Sequence, residues 1–295
     1  MLVLLDEDKI RSALGYETLI PTMSRALAAF STGRVTQPVR TILGIPAHSA
    51  FYGVMPVADE TMLGAKLVTV YPHHTPTHKA VIQLFDAKTG TPLALLDGRL
   101  ITEMRTAAVS AVATQLLASP TAHTLAILGS GVQARAHMAA LKLVRDFDQI
   151  RVWSRNPDNA RRLAEEIGAK ATSAEEAVRG ADVVVTVTHA SEPVLKGEWL
   201  DHDVHVNAVG AVGRSTRELD GVAMQRSTVI VDSRAAAEQE AGDILMAGAT
   251  IYAELGELIA NKVAAPPSEG RTVFKSLGLA VEDLAAARLV YEAFA

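Results

Sequence analysis

The 295-residue sequence has no cysteine. Disulfides, thiolate metal sites and a cysteine nucleophile are therefore excluded, and the composition suits a cytoplasmic setting. Long apolar runs are missing too. Nowhere do about 18 apolar residues follow one another, so no transmembrane helix is expected. The apolar start Met1 to Leu5 is followed at once by Asp6, Glu7 and Asp8, a pattern of neither a signal peptide nor an anchor. There is no basic excess either: the net charge of −5 offers no field for nucleic acid and no polybasic cluster for a membrane surface. No serine nucleophile elbow, phosphate-binding P-loop or HExxH motif occurs, which leaves hydrolysis and phosphoryl transfer without support. His73, His74 and His78 are interrupted by Pro72 and Pro76 and cannot share a helix face, so no metal site is read from them. Internal repeats and low-complexity linkers are likewise absent.

What the chain does have is 49% hydrophobic residues, enough for one large or two ordinary domains. Its most informative stretch is 124 to 134, where the apolar run Thr124-Leu-Ala-Ile-Leu128 stops at Gly129-Ser130-Gly131-Val132-Gln133-Ala134. This is the strand, turn and helix start of a dinucleotide-binding unit. Gly129 permits the tight turn, Gly131 lets the backbone approach a pyrophosphate, and Ala134 stands where the third glycine of G-x-G-x-x-G/A is replaceable. Free N–H groups at the helix start face the phosphates. A second strand, Ile150 to Trp153, ends in Ser154-Arg155-Asn156, where an acid would bind the ribose of NAD. None is present. Serine, arginine and asparagine can instead donate to a 2′-phosphate, so NADP(H) is expected, with NAD(H) as the alternative.

The periodicity predicts a helix over 7–31, then strands over 64–71, 80–86 and 92–97, with a hairpin turn at 87–90. A small-residue helix over 102–118 leads into an alternating pattern. Helices are expected at 157–167 and 173–179, the latter with the capping-box pair Ser173 and Glu176, and strands at 182–188, 204–209 and 228–232. An amphipathic helix over 276–295 could return to the first domain. The fold class read from this order is α/β: a doubly wound parallel sheet of Rossmann type, which binds the dinucleotide, with a second α+β domain. The expected boundaries are 1–110 plus 276–295 for the α+β domain and 111–275 for the dinucleotide domain.

Three basic residues stand where little favours them. Arg40 follows Gln37-Pro38-Val39 at a strand start, Lys66 lies in the apolar run Gly64 to Val68, and Arg105 opens an alanine-rich helix. A lysine in an apolar strand is costly if buried without a partner, and an anionic ligand could be that partner. Arginine grips a carboxylate at two points while lysine adds a compact charge, so the trio could hold a carboxylate beside a nicotinamide ring.

With these residues in view, the chain resembles the ornithine cyclodeaminase/μ-crystallin family over nearly its full length. The resemblance is carried by Gln37-Pro-Val-Arg40, Gly53-Val-Met-Pro56, Lys66-Leu-Val-Thr69, Asp97-Gly98, Arg105-Thr-Ala-Ala-Val-Ser110, the Gly129 to Ala134 turn, Val206-Asn-Ala-Val-Gly210 and Phe274-Lys-Ser-Leu-Gly278. It implies a homodimer whose first domain, completed by the C-terminal helix, binds substrate and dimerises. It also implies that Arg40, Lys66 and Arg105 hold the substrate carboxylate, and that Thr106, Thr188, Ser276 and His78, with Thr77, come near the cofactor. Cyclodeaminases of the family carry an aspartate two residues after the glycine of the Asn-Ala-x-Gly strand; Val212 stands there in this chain. Valine cannot move a proton, so the resemblance points to the ketimine reductase branch, which reduces cyclic imine carboxylates; the alternatives are ornithine cyclodeamination, an alanine-dehydrogenase-like amination and, from another class, a non-catalytic protein that binds NADPH or a small ligand.

Overall fold

The computed structural model describes residues 2–267 and 269–295. The chain forms two compact units, 1–106 with 278–295 and 107–277, against the expected boundaries at 110/111 and 275/276. The first division falls inside the helix Arg99–Leu117.

The first unit is built on a six-stranded sheet of β1 (Val3–Leu5), β2 (Thr41–Ile45), β3 (Ala50–Ala58), β4 (Met62–Val70), β5 (His78–Asp86) and β6 (Pro92–Asp97), in the order β1-β6-β5-β4-β3-β2. Val3–Leu5 form β1, which pairs parallel with β6, while the remaining pairs are antiparallel. The turn expected at 87–90 is present. Asp86 Oδ1 accepts from the amides of Lys88 and Thr89 at 3.1 and 2.7 Å and so closes the β5–β6 hairpin. One face of the sheet buries Met55, Val57, Ile82, Leu84, Ala94 and Leu96.

Two expectations for this unit are corrected. The single helix over 7–31 is two, Glu7–Ala13 and Tyr16–Ser31, because Leu14 and Gly15 take extended backbone and Gly15 caps the second helix. A 3.6-residue apolar spacing that continues across the break hid it. The C-terminal segment is helical only over Ala280–Glu292, and this helix is buried nearly all round rather than amphipathic, with Glu282 and Asp283 among its most enclosed residues.

The second unit carries an eight-stranded, wholly parallel sheet of β7 (Thr124–Leu128), β8 (Gln149–Trp153), β9 (Lys170–Ala171), β10 (Val183–Thr186), β11 (His205–Ala208), β12 (Thr228–Val231), β13 (Ile251–Glu254) and β14 (Thr272–Lys275), in the order β13-β12-β14-β11-β10-β7-β8-β9. Strands buried on both faces read as continuous apolar runs, and β7 and β10 are buried at every residue. The order reverses between β7 and β10, the switch point at which doubly wound sheets receive ligands. The helix Pro157–Ile167 starts on an Asn156 side-chain cap, and Ala174–Val178 starts on the expected capping box of Ser173 and Glu176. Strand β14 was not expected, since 272–275 is too short to show a period. Among the described residues no helix is long and apolar enough to cross a membrane.

Candidate functional site

The turn after β7 has the geometry that its glycines require. Gly129 takes φ +132°, and a Cβ there would lie 2.7 Å from the Val187 carbonyl oxygen just beyond β10. Only glycine allows both the left-handed backbone and that approach. Gly131 caps the helix Val132–Leu141 without a side-chain hydrogen bond, and the space in front of it is open. The helix therefore begins with N–H groups that no side chain of its own satisfies, as an anion site needs. Ser130 Oγ donates to Ser154 Oγ at 2.8 Å, which ties the turn to the end of β8. Arg155 and Asn156 follow, both exposed, on the strand end expected to meet the ribose. Arg135 pins the turn from behind: its guanidinium donates to the Ser130 carbonyl at 3.1 Å and to Glu166 at 2.6 to 2.9 Å. Val132 is exposed and Gln133 half-buried, with its Oε1 unpaired. Nothing in the residues present opposes a dinucleotide at this turn.

At the carboxyl ends of β10 and β11 lies a node that sequence reasoning missed. Glu218 is fully buried and accepts five hydrogen bonds: from Thr186 Oγ1 (2.9 Å), the Thr188 amide (2.6 Å) and hydroxyl (2.7 Å), and the amides of Gly210 (2.7 Å) and Ala211 (3.1 Å). Burial pushes its carboxyl upward, and nearby Lys275 and the Thr188 bonds oppose that push. Lys275 Nζ donates to the Ala211 carbonyl at 2.6 Å and lies 2.9 Å from Asp243, whose other oxygen accepts the amides of Glu218 and Leu219. Thr188 and the segment from Gly210 are thus fixed by one buried ion network. Val212, on that segment, is 38% exposed. Ser276 is buried, its Oγ 3.5 Å from Asp232 at the ends of β14 and β12.

In the first unit the structure gathers Arg40, Lys66 and Arg105, and it corrects the expectation about their partners. Lys66, in β4, is 3% exposed and lies 2.7 Å from Asp283 Oδ2. Arg105 reaches Asp283 Oδ1 at 3.0 Å through Nε and Glu282 Oε2 at 2.7 Å through Nη1. The buried cations are therefore paired within the chain, by acids in the first turn of the last helix. Arg40, half-buried, donates to the Gly278 carbonyl at 2.8 Å. Gly278 has φ +82°, and a Cβ there would fall 2.7 Å from the Arg105 guanidinium, so this glycine seats both arginines. Three basic side chains thus converge on the start of the last helix. Burial brings Lys66 down to about 8; Asp283 opposes this, while Arg105 and Arg40 add to it.

Thr106 is buried and bonds to its own helix at the Thr102 carbonyl (2.7 Å). His78 is exposed, with Nδ1 2.9 Å from Thr77 Oγ1. Both belong to the first unit, and the dinucleotide turn to the second. Among the described residues no three His, Asp or Glu side chains are grouped to hold a metal ion.

The model of the ornithine cyclodeaminase/mu-crystallin family matches residues 2–295. Ketimine reductase mu-crystallin of Mus musculus is 47% identical over 300 residues, which cover 98% of this chain and 95% of the mouse protein. Delta(1)-pyrroline-2-carboxylate reductase of Thermococcus litoralis, solved with NADH and L-proline, superimposes with a TM-score of 0.93 at 36% identity, covering 99% of this chain and 97% of the other. An archaeal alanine dehydrogenase dimer with bound NAD superimposes with a TM-score of 0.94 at 27% identity, covering 99% and 95%. The chain belongs to the ornithine cyclodeaminase/mu-crystallin family.

Proposed function

We propose that the protein reduces cyclic imine carboxylates, such as pyrroline-2-carboxylate or piperideine-2-carboxylate, to cyclic amino acids with NADPH. The observation that carries this reading is the Arg40–Lys66–Arg105 cluster, in which three basic side chains converge on the start of the last helix, the chemistry that a substrate carboxylate needs. The similarity to ketimine and pyrroline-2-carboxylate reductases supports the substrate class. The cofactor would be held by the uncapped helix start at Val132, the Gly129 to Gln133 turn and the Ser154-Arg155-Asn156 strand end, with Thr188 and Ser276 as further contacts. When bound, it supplies a hydride. The acid-free end of β8 favours NADPH over NADH, because Arg155 can meet a 2′-phosphate with two parallel bonds.

Arg40 and Arg105 orient the substrate carboxylate, and Lys66 donates beside it, which fixes the position of the C=N carbon. Val212 leaves no acid at the place where cyclodeaminases of the family have one, so the imine is expected to enter already protonated, and activity to fall as pH rises through its pKa.

A homodimer and a cytoplasmic setting belong to the same reading. Leu4, Leu95, Val81 and Leu43 are exposed on one face of the first sheet, in the registers Leu4–Leu95 and Val81–Leu67–Val54–Thr41 that carry the face across β1 to β2. An open apolar sheet face of this kind suits a second copy.

The deciding experiment follows NADPH oxidation with pyrroline-2-carboxylate and piperideine-2-carboxylate, beside pyruvate with ammonia and an ornithine control. Turnover of the cyclic imines alone supports the reading. Ammonia-dependent turnover of pyruvate, or ammonia release from ornithine, would replace it.

A further inference from the structure

Lys66 is held from two elements: by Asp283 Oδ2 at 2.7 Å on the last helix and by Thr102 Oγ1 at 3.4 Å on the helix Arg99–Leu117. The same Asp283 carboxylate accepts from Arg105 Nε at 3.0 Å, so one buried acid spans both of the buried cations assigned to the substrate carboxylate. Resting on that assignment, we propose that Asp283 is a positioning residue for the reaction: it keeps Lys66 an ammonium and clamps it to Arg105, so that the lysine presents only donors to the substrate.

The argument is one of competing charges. Lys66 lies in an apolar strand, with Met55 and Ile82 opposite it on β3 and β5, and burial there favours the neutral amine. Arg105 on the helix Arg99–Leu117 and Arg40 on the segment before β2 push the same way, because each places a positive charge near another. On the last helix Glu282 sits against Arg105, and Asp283 supplies the charge that opposes loss of the proton. A neutral Lys66 would offer a lone pair toward a carboxylate and weaken its hold. The outcome of the balance, about 8, lies close to the neutral range, so removal of Asp283 would carry Lys66 through it.

The test is the pH dependence of kcat/KM for the cyclic imine at saturating NADPH, paired with the pH dependence of L-proline affinity, which needs no turnover. In Asp283→Asn, which keeps the shape and loses the charge, the alkaline limb of both profiles should move to lower pH by about one unit or more, with unchanged NADPH affinity. Glu282→Gln removes an equal charge from the same helical turn, but from Arg105 rather than from Lys66, and should move the limb less than Asp283→Asn does. Lys66→Arg, whose guanidinium stays charged, should erase the enzyme's limb and leave only that of the imine, known from titrating the free substrate. This variant decides the matter if Asp283→Asn does not fold. A limb at the wild-type pH in Asp283→Asn, or one that persists for L-proline in Lys66→Arg, would overturn the proposal. Failure of the functional reading is seen separately, as wild-type protein that binds L-proline but reduces no cyclic imine.

Discussion

Lys66 Nζ lies 2.7 Å from Asp283 Oδ2, and both side chains are almost wholly buried. Two charges so removed from water are retained at a cost, since desolvation of each offsets most of their attraction. A pair kept under those terms, with a second cation, Arg105, seated on the same carboxylate, fits a recognition site better than a stabilising device. Lys66→Met should lower kcat/KM for the imine by about 10- to 100-fold, the scale of one lost hydrogen bond to a charged group. Titration by cofactor fluorescence should show NADPH binding unchanged. Turnover near the wild-type rate would remove Lys66 from the site.

Arg155 is exposed on the end of β8 and is assigned to the 2′-phosphate. Substituting alanine should weaken NADPH by about 10- to 100-fold, as loss of a two-point charged contact does, and leave NADH nearly untouched. Dissociation constants for the two cofactors in wild type and variant check this. Equal weakening of both would mean that Arg155 serves the turn and not the phosphate.

How much of this was legible in the sequence follows from where each signal sits. The β7 run and its glycine turn are local, and a buried parallel strand announces itself by unbroken apolar residues. Lys66 stood out for the same reason, as a charge interrupting such a run. Its partner did not, because Glu282 and Asp283 open a helix, where acids are ordinary complements of the dipole. Glu218 was equally hidden: between Arg217 and Leu219 it reads as a surface acid, and only the fold brings five donors to it. The break at Gly15 escaped because apolar spacing resumes in phase after it.

His137 and His205 are both enclosed, and burial brings each down to about 4. His137 bridges two helices, with Nε2 2.9 Å from Ser110 Oγ and Nδ1 2.7 Å from the Gln133 carbonyl. A histidine depressed in the folded state binds more protons when unfolded, so stability is complete above the unfolded pKa near 6.5 and falls as pH drops toward 4. Each should cost about 2 kcal/mol by pH 5. Thermal unfolding between pH 7 and pH 5 should show the fall, and His137→Gln should flatten it. A slope unaltered in the variant would assign the acid sensitivity elsewhere.

Leu95 and Val81 lie on the open face of the first sheet, 38% and 39% exposed. Placing lysine at both should keep a copy of the chain from covering that face, since two buried charges without partners cost far more than the apolar contact they replace. If the proposed homodimer forms through this face, light scattering should then report a mass of 31.3 kDa in place of twice that value. A double variant that remains dimeric would move the interface to another surface.

Val212 follows two backbone positions held by Glu218 and Lys275, and its own side chain reaches solvent. An aspartate there enters without being buried, so Val212→Asp should change stability by no more than about 0.5 kcal/mol. If the valine is what separates this chain from the cyclodeaminases, restoring the acid should raise ammonia release from ornithine by about a hundredfold or more, the contribution expected of a positioned acid/base. Ammonia measured with ornithine and catalytic dinucleotide checks this against wild type. Release that stays at the wild-type level in a folded, NADPH-binding variant would show that the difference does not lie in the missing carboxyl, and would turn attention to the proposed substrate contacts Arg40, Lys66 and Arg105.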